Sequence, residues 1–175
     1  KKREERFASG LLKATSQRKI IQNKLRTLSR QIKDYGRKLK KSSTKDADTG
    51  VYNYRYLNQI IEDEFSRAKR YGLPLSLVIL DIDYFKSVNE AYGHRFGDLI
   101  LKQLARILKK SLRRTDVVCR MGGEEFVAVL PATSRSLALI LAQRLLDTLT
   151  VYTFGDKQRS LKLKLSIAVS SYPED

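Results

Sequence analysis

The sequence predicts an α+β domain, a mainly antiparallel central sheet flanked by helices, entered through a long coiled-coil helix. Three observations carry that prediction. Apolar residues recur at heptad spacing through the first forty positions, Leu75 to Ile82 is an unbroken apolar run of strand length, and Gly122-Gly123 interrupts two β-prone segments as a hairpin turn does.

From Phe7 onward, apolar or near-apolar residues fall at 7, 11, 14, 21, 25, 28, 32, 35 and 39, with Arg18 in the remaining place. Phe7, Ala14, Ile21, Leu28 and Tyr35 take the d positions, and Leu11, Arg18, Leu25, Ile32 and Leu39 the a positions. Such a seam spans about 60 Å at ~1.5 Å per residue, which overshoots a small domain and predicts a parallel homodimer through this helix. Arg18 lowers its stability and helps to set its register, Gly10 and Gly36 weaken its ends, and Ser42-Ser43-Thr44 stops it. Residues 1–45 are thus expected to be a dimerising connector and residues 46–175 the globular domain.

A polar turn around Gly50 precedes a helix from about Asn53 to Tyr71, which Gly72 and Pro74 end. Leu75 to Ile82 reads as a buried central strand delivering Asp81 at its end. A short helix from Phe85 to Ala91 follows, then a turn through Gly93, His94 and Gly97, then an amphipathic helix from Asp98 to Leu112. Strands Val117–Met121 and Phe126–Leu130 flank the hairpin turn. A helix from Ser134 to about Val151 and a strand from Leu161 to Val169 complete the order α, β, α, α, β, β, α, β.

A net charge of +16 invites a nucleic-acid reading, but its distribution speaks against one. Residues 1–45 hold 16 Lys or Arg against three acids, a net of +13, which leaves +3 for residues 46–175. A basic helix without interleaved aromatics is a solvated connector, and nucleic acid is not an expected partner. The single Cys119 supplies neither a disulfide framework nor a cysteine zinc site, so a reducing, cytoplasmic compartment is expected. No apolar stretch approaches the roughly 20 residues that span a bilayer. Position 1 is not methionine, which fits a cytoplasmic portion of a membrane-bound sensor, with an upstream sensory domain in the intact protein.

In the run Arg120-Met-Gly-Gly-Glu-Glu-Phe-Val, the glycines leave backbone accessible to a phosphate, and Glu124 and Glu125 supply hard oxygens for a divalent cation. Asp81 and Asp83 are the candidates for a third carboxylate. Carboxylates converging from a strand end and a neighbouring hairpin suit metal-assisted nucleotidyl transfer.

Gly122-Gly123-Glu124-Glu125-Phe126 resembles the signature hairpin of GGDEF-domain diguanylate cyclases in its GGEEF form. Four further blocks fall in that family's order: Asp46 to Asn53, Asp81-Ile-Asp-Tyr-Phe-Lys-Ser-Val-Asn89, Gly93-His-Arg-Phe-Gly-Asp98 and Arg113-Arg-Thr-Asp116. The resemblance implies a fold similar to adenylyl cyclase and polymerase palm domains, and condensation of two GTP into cyclic di-GMP with release of two pyrophosphates. It implies Mg²⁺, with Mn²⁺ as an alternative, held by Asp81, the carbonyl of Ile82, Glu124 and Glu125. Glu124 would also be the general base toward the ribose 3′-hydroxyl, with Lys86 as the charge facing the leaving group. Phe85, Lys86, Gly122 and Gly123 would face the triphosphate, Asn89 and Asp98 would read guanine, and His94 would line the pocket. Asp83 stands outside the ligand set.

Arg113 and Asp116 resemble the family's inhibitory RxxD site for the product, with Arg144 as a second arginine. Several of these residues have plainer roles open to them. Asp98 could cap the following helix, Arg113 could answer a helix dipole, and Arg144 could be a solvated surface residue. Asp48, Tyr54 and Glu90 depart from the family's usual residues without removing a proposed ligand. Family members also continue into a helix with an Ala-Asp-x-Ala-Leu-Tyr-type motif, absent from these 175 residues, so the catalytic domain is expected to be C-terminally incomplete. The alternative function is a catalytically inactive receptor that binds cyclic di-GMP at the RxxD site.

Overall fold

The computed structural model describes residues 44–175, and the predicted connector with its heptad seam lies outside the described residues. The chain runs β1 (Tyr52–Asn53), α1 (Tyr54–Tyr71), β2 (Leu75–Ile82), α2 (Phe85–Tyr92), α3 (His94–Ser111), β3 (Val117–Gly122), β4 (Glu125–Pro131), α4 (Arg135–Val151), β5 (Phe154–Gly155), β6 (Ser160–Leu161) and β7 (Leu165–Tyr172). Five strands form one sheet in the order β1-β3-β4-β2-β7, while β5 and β6 pair separately. Only the β1–β3 pairing is parallel.

Alternation along the strands sends side chains to two apolar layers. Leu75, Val127, Val129 and Cys119 pack with Leu57 and Ala68 of α1 on one face. Val78, Leu80, Ile82, Phe126 and Leu130 turn the other way, onto a core that α3 and α4 complete through Ile100, Leu104, Leu108, Ala138 and Leu145. The ends of α1 follow from local chemistry. The Asn53 side chain accepts the Tyr56 N–H at the N-cap, and Gly72, at φ 63°, closes the C-terminus by donating to the Ala68 carbonyl.

Two expectations are corrected and one strand is added. First, α3 begins at His94, four residues before Asp98, so Gly97 and Asp98 are helical and Asp98 is not an N-cap. Gly93, at φ 84°, alone breaks the chain between α2 and α3. Second, the predicted Leu161–Val169 strand is divided. Leu161 belongs to the small β5–β6 hairpin, and the sheet strand runs from Leu165 to Tyr172. The hairpin is held from a distance: the Gln103 amide on α3 donates to the Gly155 carbonyl at 2.7 Å and accepts the Gly155 N–H at 2.9 Å. The added strand, the parallel β1, was not foreseen.

Gly155 sits at φ 133°, and a Cβ there would overlap the Arg159 carbonyl oxygen. Gly155→Ala is therefore expected to lower stability by about 1–3 kcal/mol in a urea melt. An unchanged midpoint would mean the β5–β6 hairpin contributes nothing to the fold.

Candidate active site

Strands β3 and β4 pair antiparallel from Val117↔Val129 to Gly122↔Glu125, with an irregularity between Arg120 and Gly122. That leaves Gly123 and Glu124 as a two-residue loop. Of the two glycines only Gly123 needs positive φ, at 38°, and nothing lies within 4 Å of where its Cβ would be. Gly122 is ordinary strand. Arg120 reaches back to this loop, its Nε and Nη2 donating to the Gly123 carbonyl at 3.0 and 2.7 Å. Its Nη1 donates to Asp46 Oδ1 at 3.1 Å and lies 3.6 Å from Asp48.

β2 pairs with β4 up to Leu80↔Phe126, and one further step sets Asp81 opposite Glu125. Both belong to the odd-numbered set that faces α1, so the two carboxylates project from one sheet face on neighbouring strands. Like charges opposite one another destabilise a sheet, and neither has an ion-pair partner among the described residues. Two hard oxygen donors in that position fit a divalent cation. Among the described residues no three His, Cys, Asp or Glu form a ready-made metal group. Mg²⁺ does not require one, since it commonly takes one or two carboxylates and fills the rest of its octahedron with water and substrate phosphate. Asp83 is engaged elsewhere: its carboxylate accepts the Ser166 hydroxyl at 2.7 Å and its N–H donates to the Lys164 carbonyl.

Glu124 lines an open cleft of about 330 Å³ together with Phe85, Lys86, Asn89, Glu90 and His94. Four of the predicted substrate residues and the predicted base are thus brought together. Lys86 lies 3.7 Å from Glu90 one turn on; both are well exposed, so this ion pair holds it weakly. Asn89 leans on Gly97, where an added Cβ would overlap its Oδ1. That close approach explains a glycine inside α3 and places the Asn89 amide one residue from Asp98. Asp98, Gly122 and Gly123 do not line the cleft itself. A larger cleft of about 350 Å³ lies elsewhere, between α1 and the Pro131–Ala132 bend, and lacks the converging carboxylates.

Arg113, Asp116 and Arg144 border one further cleft of about 290 Å³, with Leu137 and Ile140 on its apolar side. Asp116 Oδ2 accepts the Arg113 backbone N–H at 2.9 Å, which closes the turn and leaves the Arg113 guanidinium at the surface. Arg144 donates to the Ser111 carbonyl at 3.0 Å, so it is anchored to the end of α3. Cys119 is buried, and burial pushes its thiol up to about 12 despite nearby Lys45, which removes it as a nucleophile.

The profile described as "Diguanylate cyclase, GGDEF domain" matches residues 43–175. The chain is 39% identical over 127 residues to diguanylate cyclase DgcP of Pseudomonas aeruginosa, covering 73% of this chain and 19% of that protein. Among solved structures, diguanylate cyclase SiaD of Pseudomonas aeruginosa, in complex with its activator SiaC, superposes with a TM-score of 0.70 at 30% identity, over 97% of this chain and 64% of that one. The active GGEEF domain of a diguanylate cyclase from Vibrio cholerae superposes at 0.64 with 35% identity, over 68% and 75%. The chain spans from 19% to 38% of the length of curated relatives such as these. No described helix is long and apolar enough to cross a membrane.

The residues not foreseen are Arg120 and Asp46 as one clamp. Burial raises the Asp46 carboxyl, but hydrogen bonds from the Thr49 hydroxyl and N–H, at 2.6 and 2.9 Å, and from Arg120 outweigh it and hold the group below its usual 3.8. A carboxyl lowered on folding stabilises the protein above its unfolded value, and that contribution is lost as pH falls through the lower folded value. Asp46→Asn should therefore cost about 1.5–3 kcal/mol in denaturant melts at pH 7. The gap to the unaltered protein should close below pH 3.8; a gap that stays constant with pH would sink the clamp.

Proposed function

The chain belongs to the GGDEF family of diguanylate cyclases, and from that membership we propose that it condenses two GTP into cyclic di-GMP, releasing two pyrophosphates. The observation that supports this most directly is the shared cleft of Glu124 with Phe85, Lys86, Asn89 and His94. In each half-reaction the 3′-oxygen of one GTP bonds to the α-phosphorus of the other, and the bond from that phosphorus to pyrophosphate breaks. Glu124 takes the 3′-hydroxyl proton, a task for a placed carboxylate because a ribose hydroxyl does not ionise unaided at neutral pH. Lys86, only loosely paired with Glu90, turns toward the triphosphate and offsets charge on the departing pyrophosphate. Phe85 and the hairpin backbone at Gly122 and Gly123 give the phosphates an unobstructed approach.

Asp81, the carbonyl of Ile82, Glu124 and Glu125 would hold Mg²⁺, or Mn²⁺ in its place. Such an ion, when bound, polarises the phosphate and lowers the cost of bringing a tetra-anion to three carboxylates. Asn89 and Asp98 read guanine: a carboxylate accepts from guanine N1–H and N2–H, which adenine cannot offer in the same pattern. Gly97 permits the close approach of the Asn89 amide to α3.

One domain holds one GTP, so turnover needs two copies facing each other. The heptad helix of residues 1–45 supplies that homodimer and relays a signal from an upstream sensory domain. Arg113, Asp116 and Arg144 form the inhibitory site for cyclic di-GMP, since two guanidinium groups at one cleft suit its phosphates.

Incubating the full chain with Mg²⁺ and either GTP or ATP, and identifying products by mass, tests the proposal. Cyclic di-GMP should form from GTP alone, and Glu124→Ala should slow it by about 10²–10⁴-fold. Undiminished turnover in Glu124→Ala would remove the assigned base. No turnover by the unaltered chain, together with tight cyclic di-GMP binding, would favour the receptor function instead.

A further inference from the structure

We propose that the inhibitory corner has two sides: a second anion-binding subsite formed by Lys45, Tyr52, Lys109 and Arg114 adjoins the Arg113–Asp116–Arg144 cleft and takes the second phosphate of the cyclic dinucleotide. This rests on the inhibitory role given to that corner above.

A separate cleft of about 180 Å³ opens on the other side of the Arg113–Asp116 turn. It shares Leu112, Arg113 and Asp116 with the 290 Å³ cleft, so the two concavities meet at a single turn. Neither reaches the roughly 300 Å³ at which drug-sized ligands are usually held, but joined they do. A ligand with two phosphates and two bases is the kind that occupies two small clefts on either side of one arginine.

The second cleft has the chemistry for half of such a ligand. Val51 and Val118, both buried, form an apolar floor, and Tyr52 gives an aromatic wall held firm by stacking on Tyr56 at 4.0 Å. The Lys45 ammonium lies 3.6 Å over the Tyr52 ring, and Lys109, Arg113 and Arg114 supply three more cations. Asp116 is the one acid there, and its oxygens are already engaged, Oδ2 by the Arg113 N–H at 2.9 Å and Oδ1 by the Thr115 hydroxyl at 3.4 Å. Lys109, Arg113 and Arg114 make no ion pair with any described acid.

The surrounding charge is equally one-sided. Residues 99–115 contain six Lys or Arg and no acid, while the remainder of residues 46–175 sums to −3. Lys109 has a structural reason to be there, in the last turn of α3 where a cation answers the helix dipole. Arg114 has none, because it lies beyond the helix and caps nothing. Both faces of the Tyr52 ring are covered, one by Tyr56 and the other by the Lys45 ammonium, so Tyr52 is a fixed wall and Lys109, Arg113 and Arg114 take the phosphate.

Equilibrium binding of cyclic di-GMP to the full chain, and its inhibition of GTP turnover, test this with Arg113→Ala and the double variant Lys109→Ala/Arg114→Ala. The double variant should weaken binding and inhibition at least about tenfold, reduce the salt dependence of binding, and leave uninhibited turnover unchanged. Lys109→Arg/Arg114→Lys, which keeps both charges, should bind nearly as the unaltered chain does. If the double variant binds normally while Arg113→Ala does not, the second subsite is wrong and the inhibitory role of Arg113 stands. Should Arg113→Ala also bind and respond normally, the inhibitory corner itself is wrong and the subsite falls with it.

Discussion

The register between β2 and β4 is the constraint on which the site depends. A strand has a side-chain period of two, so a slip of one residue would turn Asp81 from the face it shares with Glu125 to the face that carries Leu80 and Phe126. Such a slip is opposed at both ends. Val78, Leu80 and Ile82 would have to leave the α3–α4 core. At the far end the buried Ser76 hydroxyl donates to the Thr133 carbonyl at 2.8 Å and meets the Ser171 hydroxyl at 2.9 Å, and a displaced strand would bury those groups unpaired. Core packing thus fixes where two carboxylates stand that contribute nothing to the core.

Register places Glu125 but leaves Glu124 in a two-residue loop, and the loop is held by Arg120. One guanidinium binds the Gly123 carbonyl twice and Asp46 once, joining the hairpin to the turn that opens the domain. With its side chain largely buried, Arg120 has little rotamer freedom to regain, and both partners are acceptors it would otherwise leave unsatisfied. The Asp46 turn is closed in its own right by Thr49 and by backbone bonds with Gly50 and Val51. The loop tip proposed to approach a charged nucleotide is thereby braced from behind, while the space above Gly123 stays open.

What could be read from the sequence, and what could not, divides along sequence separation. The bounds of β2 and the end of α1 were legible because their causes are adjacent in the chain: an apolar run after Pro74 and a Gly72 stop. Glu124, Lys86, Asn89 and His94 were legible as members of one motif set, and they do share a cleft. The start of α3 was misplaced because Gly93 and Gly97 look alike in sequence. Only the first breaks the chain, whereas the second makes room for an amide from α2. The β5–β6 hairpin escaped notice because Gln103, 52 residues away, fixes it. The clamp escaped for the same reason, its two ends lying 74 residues apart.

Charge gives the domain a polarity that bears on how the two proposed nucleotide sites can coexist in it. Asp81, Glu124 and Glu125 gather at one end of β3, whereas Lys109, Arg113 and Arg114 flank the other, about 20 Å away for a six-residue strand. A free nucleotide polyanion is repelled by the first end and drawn to the second. Only a nucleotide that brings its own divalent cation reverses that order. On this view the proposed substrate and product sites are separated by charge before any base is read. GTP carrying Mg²⁺ belongs with the carboxylates, and a cyclic dinucleotide, whose phosphates form no chelating chain, belongs with the arginines.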